Sequence, residues 1–360
     1  MATWSAPGRV NLIGEHVDYV GGPVLPFAID RRTEVAIERR TDSRIVVRST
    51  ELEPAELPPE ARPGEVDGWE RYVAGAIWAF TQATGHRPTG LDIDITSTLP
   101  TGAGLSSSAA IECGVLGTLG DIMGTSLTAR EIAMLALRAE REFVGVPCGP
   151  MDQLAVMLGE LDHALLLDSR TLDTEQVPLR LAAAGLTVLV IDTRVRHAVA
   201  DGAYADRRAA CAEATTALGV EWLADATLQQ VIGLTDPLLR RRAHHVVSEI
   251  QRVRDVVAVL RADHPEDIGA FLTASHRSLA DDYDVSCPEL DTAVDAALAA
   301  GALGARMTGA GFGGSAIALC RLGEVAAVRD RVRRAFDGSG WATPDVWPAT
   351  PAAGARRSAR

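Results

Sequence analysis

A run of glycine and serine residues between positions 99 and 110 is the strongest chemical signal in the chain. It follows an alternating apolar segment that is typical of a strand and leads into a helical pattern. Glycines let a backbone approach a ligand closely, and a helix start offers free N–H groups and the positive end of its dipole. Three consecutive hydroxyls, Ser106 to Ser108, add donors for phosphate oxygens and one candidate magnesium ligand. The run therefore predicts a phosphate-binding loop, since an ordinary serine cap needs only one such residue.

A second group of polar residues, Glu15, His16 and Asp18, follows Gly14 near the N-terminus. Their side chains could hold the hydroxyls of a polyol. The spacing alone fits two other interpretations equally well, a fragment of a metal site and a polar turn whose hydrogen bonds are all made within the protein.

One carboxylate, Asp152, is placed to act as a base. Pro150 fits the first position of a helix, which would put Asp152 in the first turn. The helix dipole and a nearby cation would keep its carboxylate ionised at neutral pH. The local pattern also allows a simple helix-capping role.

The composition excludes several classes of protein. The 360 residues carry a formal net charge of −13 and have a pI near 5.1, which argues against nucleic-acid binding. All 35 basic residues are arginine, so the lysine that a Walker A loop, a protein kinase or a Schiff-base enzyme requires is missing. We find no secretory signal, no long apolar run and no closely spaced cysteine pair. These features predict a cytoplasmic protein with free thiols and no membrane or nucleic-acid partner.

The elements that must position these residues follow from the hydrophobic pattern. It predicts an α+β protein with a domain boundary near residue 175, in the polar stretch 168–178, and a disordered tail over 351–360. Strands are expected over 33–38, 44–49, 91–95, 164–167 and 186–191, with a strand, glycine turn and strand over 305–319. Residues 51–67 are expected to form a loop. Helices are expected over 69–84, 109–123, 129–143, 203–218, 239–260, 267–279 and 288–300.

Five segments together resemble the GHMP kinases, a family named for galactokinase, homoserine, mevalonate and phosphomevalonate kinases. The glycine–serine run is similar to their phosphate loop, and Met307–Ser315 is similar to their third motif, which we expect to support that loop. Gly8–Gly22 is similar to the signature of the galactokinase branch, and Cys148–Gln153 and Asp284–Asp291 resemble two further stretches of that branch.

The resemblance implies a fold and a reaction. The fold would be that of a two-domain GHMP kinase, with an N-terminal mixed-sheet domain over 1–175, a C-terminal α+β domain over 176–350 and the active site between them. The reaction would be the ATP-dependent phosphorylation of galactose at its anomeric 1-hydroxyl, which gives galactose 1-phosphate and ADP. Magnesium would be the metal ion, and we expect a monomer.

The resemblance also implies roles for individual residues. Asp152 would be the base, and Arg9 would lie between that base and the phosphate. Ser108 and Glu140 would bind magnesium. The residues that would hold the sugar are Glu15, His16, Asp18, Gly149 and Tyr204, with Asp30 as a lesser candidate. The residues that would hold the nucleotide are Trp69, Gly102, Ala103, Gly104, Leu105, Ser106, Ser107 and Ser108.

The chain departs from the family pattern at three positions. Val17 and Val20 stand where the signature usually has Thr and Asn, and Ser315 stands where the third motif usually ends in Cys. Kinases for N-acetylgalactosamine or arabinose share most of these residues, so another sugar-1-kinase is an alternative. A non-catalytic sensor of ATP and galactose is a second alternative, although Arg9, Ser108 and Asp152 are all present.

Overall fold

A six-stranded mixed sheet organises the N-terminal half of the protein. The computed structural model describes residues 1–50, 53–195 and 200–358, without the side chains of residues 200 and 201. In chain order the strands of this sheet are β1 (Ala2–Asn11), β3 (Pro26–Arg39), β4 (Ile45–Ser49), β5 (Ala55–Leu57), β6 (Leu91–Ser97) and β13 (Arg356–Arg357). Across the sheet the order is β13-β1-β3-β6-β4-β5. Neighbouring strands run antiparallel except for β4 and β6, which are parallel. The expected loop over 51–67 thus contains one short strand, β5.

Helices pack on this sheet and carry part of the predicted site. They are α1 (Glu70–Thr84), α2 (Ser107–Met123), α3 (Ala129–Arg138) and α4 (Met151–Leu158). Thr128 and Glu131 form a reciprocal capping box at the start of α3. The expected helix over 129–143 changes to a π-helical segment at Ala139–Val144, a widened turn that is common at functional sites. Pro150 is the N-cap of α4 rather than its first residue, and Asp152 lies in the first turn as expected.

A three-stranded antiparallel sheet joins the two halves of the chain. It consists of β2 (Pro23–Val24), β7 (His163–Asp168) and β8 (Thr174–Pro178), in the order β2-β7-β8. The boundary expected near residue 175 falls inside β8, so the chain leaves this sheet only after Pro178.

A four-stranded antiparallel sheet forms the C-terminal half, in the order β10-β11-β9-β12. The strands are β9 (Leu186–Asp192), β10 (Gly304–Thr308), β11 (Ser315–Arg321) and β12 (Asp345–Ala349). Every residue of β9 is buried, which explains its continuous apolar run. The helices around them are α5 (Ala200–Leu218), α6 (Leu228–Ile232), α7 (Pro237–Arg261), α8 (Gly269–Asp281), α9 (Pro288–Ala299) and α10 (Val325–Gly338). Among the described residues, none of the helices is long and apolar enough to span a bilayer.

The prediction of a disordered C-terminal tail is wrong for residues 351–358. The tail returns to the N-terminal sheet, where β13 pairs with β1 at Trp4 and Ser5. Arg32 donates to the carbonyl oxygens of Ala353 at 2.8 Å and Gly354 at 2.9 Å. Because these contacts are made with residues more than 300 positions away, the polar composition of the tail gives no sign of them.

Candidate active site

Two adjoining cavities open between the halves of the chain. The first, which we call the acceptor chamber, has a volume of about 510 Å³, and the second, the phosphate chamber, has about 430 Å³. Their linings share five residues: Arg9, Tyr72, Asp152, Gly309 and Ala310. A molecule bound in one chamber can therefore meet a molecule bound in the other next to Arg9 and Asp152.

The glycine–serine run lines the phosphate chamber. Ser106 has φ 59° and precedes α2, so the loop reaches the helix through a left-handed residue. Its hydroxyl is buried and has no hydrogen-bond partner among the described residues, so it is free to donate to an anion. Trp69 also lines this chamber, as do six residues of the predicted phosphate-binding set: Gly102, Gly104, Leu105, Ser106, Ser107 and Ser108.

Ala103 is the exception within the predicted loop. It is buried outside the chamber lining, and its carbonyl oxygen accepts a 2.8 Å hydrogen bond from Ser315. Gly309 also approaches the loop, since a Cβ there would lie 3.3 Å from the Gly104 carbonyl oxygen. The third motif therefore packs against the phosphate loop as expected.

Arg9 and Asp152 form an ion pair where the chambers meet. The Arg9 guanidinium contacts Asp152 Oδ1 through Nε at 2.8 Å and Nη2 at 2.7 Å, and Nη1 donates to the Gly104 carbonyl oxygen at 2.6 Å. Both contacts of Arg9 with Asp152 are with Oδ1, and none of the described residues hydrogen-bonds Oδ2 of Asp152. One arginine thus connects the candidate base to the phosphate loop.

Ser108 and Glu140 form an oxygen-rich pair beside the candidate base. Ser108 Oγ lies 3.1 Å from Glu140 Oε1, and the side-chain amide of Gln153 donates to the other carboxylate oxygen. Burial and the nearby Asp152 carboxylate raise the pKa of Glu140 to about 7. A cation would relieve that repulsion, and hydroxyl and carboxylate oxygens suit a hard ion such as magnesium. No cluster of three His, Cys, Asp or Glu side chains suited to a metal occurs in the part of the chain that the structure describes, so a metal here would need phosphate or water oxygens as well.

Asp18 brings a carboxylate to the acceptor chamber. Burial, together with the carboxylates of Asp152 and Glu15, raises its pKa to about 7, although Arg208 and Arg9 act in the opposite direction. The carboxylate lies directly over Gly149, where a Cβ would be 1.7 Å from Asp18 Oδ2. Residue 149 must therefore be glycine for Asp18 to keep this position.

Tyr204 forms another wall of the acceptor chamber. Its ring centroid lies 5.7 Å from those of both His16 and Tyr19. Burial and the Asp18 carboxylate raise the pKa of Tyr204, so its hydroxyl keeps its proton and can donate it in a hydrogen bond.

Glu15 lines the acceptor chamber, but its carboxylate is bound by the protein. Oε1 accepts hydrogen bonds from the Gly309 amide at 2.8 Å and the Thr308 hydroxyl at 3.0 Å, and lies 3.3 Å from Arg306. Oε2 accepts from Asn11 at 2.9 Å. The main role of Glu15 in the structure is thus to connect the N-terminal signature to the third motif.

Both ring nitrogens of His16 are likewise bound within the protein. Nε2 lies 3.1 Å from the Ala310 carbonyl oxygen, which can only accept, so Nε2 carries the hydrogen and Nδ1 accepts from the Tyr19 hydroxyl at 2.9 Å. Tyr19 in turn accepts from the Tyr283 hydroxyl at 2.7 Å. Burial and nearby His245 lower the pKa of His16 to about 3, so the ring is neutral. Glu15 and His16 thus form the hydrogen-bonded polar turn that the spacing allowed, and both also line the acceptor chamber. Their contact with a sugar stays a prediction.

Asp30 lies away from the site. It is exposed at the end of the apolar part of β3, and its carboxylate accepts from the Thr350 amide at 3.3 Å. It lines neither chamber, so the expectation that it contacts a sugar is wrong.

Comparison with known proteins agrees with this geometry. The family models described as GHMP kinases N terminal domain, galactokinase galactose-binding signature and GHMP kinases C terminal match residues 71–160, 2–39 and 256–338. A galactokinase from Streptomyces coelicolor is 46% identical over 98% of this chain and 93% of its own length. A Bos taurus galactokinase is 40% identical over 93% and 88%. The chain belongs to the galactokinase family of the GHMP kinases.

The fold of this enzyme agrees with that assignment. The crystal structure of Lactococcus lactis galactokinase complexed with galactose matches it with a TM-score of 0.91 and 33% identity, over 99% of this chain and 95% of that one. A mevalonate kinase structure, at 19% identity and a TM-score of 0.70, shares the fold. The enzyme is thus an ATP-using phosphotransferase with an alcohol acceptor and has the two-domain GHMP kinase fold.

The departures from the galactokinase signature lie behind the acceptor chamber. Val17 and Val20 are buried in the core, and neither is among the residues that line the chamber. Val17 packs on Gly22, which also contacts Ile250 of α7. These substitutions change the packing under the sugar-binding signature and leave the chamber wall formed by Asp18, Gly149 and Tyr204.

Sequence reasoning missed several residues that build the site from a distance. They share burial and hydrogen bonds to the N-terminal signature, and they are His245, Glu249, Tyr283 and Arg306. Arg306 alone had a recognisable signal. It stands among apolar residues of a predicted strand, where an arginine needs a buried partner.

Proposed function

We propose that the enzyme transfers the γ-phosphoryl group of ATP to the anomeric 1-hydroxyl of galactose and requires Mg²⁺. The Arg9–Asp152 pair at the junction of the chambers is the observation that carries this proposal. It supports the proposal because a carboxylate and a guanidinium at this junction would lie next to an acceptor hydroxyl in one chamber and a terminal phosphate in the other.

Asp152 takes the proton of the sugar hydroxyl. Arg9 holds Oδ1, so Oδ2 is the oxygen that accepts the proton. The sugar oxygen then bonds to the γ-phosphorus as the bond between that phosphorus and the β,γ-bridging oxygen breaks, which leaves ADP. The guanidinium of Arg9 offsets negative charge on the transferring group in a site that contains no lysine.

The phosphate loop binds the nucleotide through the amides at the start of α2 and the free hydroxyl of Ser106. Trp69, which lines the same chamber, would pack near the adenine ring of ATP. Ser108 and Glu140 would hold the magnesium ion, which when bound neutralises the β- and γ-phosphate oxygens. Ser108 lines the phosphate chamber and Glu140 lines the acceptor chamber, and the two chambers share Asp152.

The acceptor sugar is oriented by Asp18 and Tyr204. A carboxylate accepts hydrogen bonds from two neighbouring hydroxyls, and a neutral tyrosine hydroxyl donates one. Gly149 leaves the space that Asp18 occupies. The predicted monomeric state and cytoplasmic location stay predictions, for which size-exclusion chromatography and cell fractionation are the tests.

The test is an ATP-consumption assay with Mg²⁺ and a panel of sugars: galactose, N-acetylgalactosamine, arabinose and glucose. We expect a strong preference for galactose, with the phosphate found on C1 by NMR of the product. Activity on another sugar alone would contradict the proposed specificity for galactose and leave the proposed mechanism unchanged. Tight binding of ATP and galactose without turnover would instead identify a sensor.

A further inference from the structure

Side chains of the C-terminal half hold the backbone of the acceptor loop, which we define as residues 14–18. Glu249 in α7 accepts hydrogen bonds from the amides of Gly14 at 3.0 Å and Glu15 at 3.4 Å. His245, one turn earlier, contacts the carbonyl oxygen of Glu15 through Nε2 at 3.1 Å. Since that carbonyl can only accept, His245 is the donor. Three polar groups of the loop backbone are therefore bound by one helix.

The carboxylate of Glu249 is charged although its side chain is fully buried. Burial alone would raise its pKa, but Arg252, His245 and Arg306 lower it to about 2, with a further contribution from Ser275. Arg252 binds Oε2 at 2.7 Å, and Ser275 of α8 donates to Oε1 at 2.7 Å. A buried carboxylate held on both sides in this way is a fixed acceptor for the loop amides.

The acceptor loop needs such an acceptor because of its shape. Gly14 and His16 have positive φ angles of 104° and 62°, and the His16 conformation is strained for a residue with a Cβ. This tight turn aims the side chain of Asp18 across Gly149 into the chamber. Without its partners on α7, the turn would lose the bonds that offset its strain.

We propose that Glu249 and His245 are positioning residues for the acceptor sugar, acting through the backbone of the acceptor loop. Neither side chain lines either chamber. The inference rests on the proposed galactose kinase activity and adds that two residues of α7 set acceptor recognition without touching the acceptor. The phosphate loop, by contrast, contacts the side chains of Arg9, Glu140 and Ser315, none of which lies on α7, so nucleotide binding should be less sensitive to α7.

The test compares three variants with one matched control. Glu249→Met removes the acceptor at similar size, and we expect the KM for galactose to rise about 10- to 100-fold, as for loss of charged hydrogen bonds. His245→Phe keeps the ring beside Tyr283 and should raise the same KM about three- to tenfold. Glu249→Gln keeps an oxygen toward the loop and should restore much of the affinity. In all three, the KM for ATP should stay within about threefold of the original value.

Asp255→Asn is the control. It removes the same charge from the same helix, at a residue that contacts Gln251 and not the loop, and both KM values should stay unchanged. Equal rises of the two KM values in Glu249→Met and His245→Phe would show a purely structural role and overturn the proposal. An unchanged galactose KM in both variants would overturn it as well. If Glu249→Met does not fold, His245→Phe and Glu249→Gln decide by the same comparison of the galactose KM with the ATP KM.

Hydrogen exchange separates this proposal from the proposed function. Glu249→Met should speed exchange of the Gly14 and Glu15 amides at least about tenfold, while Asp255→Asn should not. This measurement needs no substrate. If the original enzyme fails to phosphorylate galactose, the proposed function fails. If the amides exchange at the original rate in Glu249→Met, the positioning role fails.

Discussion

The phosphate loop and the acceptor loop differ in how they are held. The phosphate loop is made within one short segment, since its glycines, its serines and the start of α2 follow one another in the chain. The acceptor loop depends on residues far away in sequence. Its backbone is bound by α7, and its side chains are bound by the third motif around Gly309 and by Tyr19, which is itself hydrogen-bonded to the distant Tyr283.

This difference separates general from specific chemistry. A helix start and free hydroxyls suit any nucleotide phosphate, so a local structure is sufficient. Selecting one sugar requires fixed polar groups on several sides of it, and a short segment cannot surround a ligand. The acceptor chamber therefore depends on contacts between the two halves of the chain, and the following changes test that dependence.

Asp152→Asn should have the largest effect, because Asp152 belongs to both chambers. We expect turnover to fall about 100-fold or more, as for removal of a positioned base, with both KM values changed much less. Steady-state kinetics with galactose and ATP measure this. The exposed Asp295 of α9 gives the control Asp295→Asn, which should leave turnover unchanged. Near-original turnover in Asp152→Asn would leave positioning and charge neutralisation as the source of catalysis.

Gly149→Ala should damage the acceptor chamber alone. The added Cβ would lie 1.7 Å from Asp18 Oδ2, so the carboxylate must move away from the sugar. We expect the galactose KM to rise about 10- to 100-fold with the ATP KM nearly unchanged. Gly338→Ala, at a helical glycine where a Cβ meets nothing within 4 Å, is the control. A parallel rise in the ATP KM would contradict the separation of the chambers.

The sequence predicted what local patterns determine. The two-domain α+β fold, the phosphate loop and the capping box at Thr128 all follow from residues close together in the chain. The Arg9–Asp152 pair spans 143 positions, and the family resemblance predicted it where spacing could not.

The remaining features depend on contacts that a single sequence does not display. Glu249 stands in the middle of a long, largely polar helix, where a glutamate is usually exposed. In the structure it is fully buried because the loop amides, Ser275 and Arg252 satisfy it. The protein contacts of Glu15 and His16 are hidden for the same reason, since their partners around residues 306–310 are far away in sequence. The pairing of the C-terminal strand β13 with β1 is a third contact between residues that are far apart in sequence.

Asp18→Asn tests whether the acceptor chamber holds a carboxylate at a cost to stability. Burial and the neighbouring carboxylates raise the pKa of Asp18 from its ordinary value of 3.8 to about 7 in the folded protein, so between these values the folded state binds a proton that the unfolded state lacks. Stability of the ligand-free enzyme should therefore fall as pH rises from about 4 to about 7. Asp18→Asn should remove this loss and gain about 1–3 kcal/mol in unfolding free energy between about pH 5 and pH 8.

Urea unfolding at the two pH values measures this gain, and galactose affinity should be lost in the same variant. Asp295→Asn should show no such pH-dependent gain. A variant that is less stable than the original at the higher pH would show that the Asp18 carboxylate stabilises the fold, contrary to the raised pKa.

Ser315→Ala should have the smallest effect and act on the phosphate chamber. Its hydroxyl donates to the Ala103 carbonyl oxygen at 2.8 Å from the end of the third motif, and both groups are buried. Loss of this neutral hydrogen bond should raise the ATP KM about three- to tenfold and leave the galactose KM unchanged. Ser315→Cys restores a weak donor of the kind usual in the family. Its ATP KM should lie between those of the original enzyme and Ser315→Ala. Because the third motif also binds Glu15 through Gly309, a rise in the galactose KM instead would show that this motif serves mainly the acceptor loop.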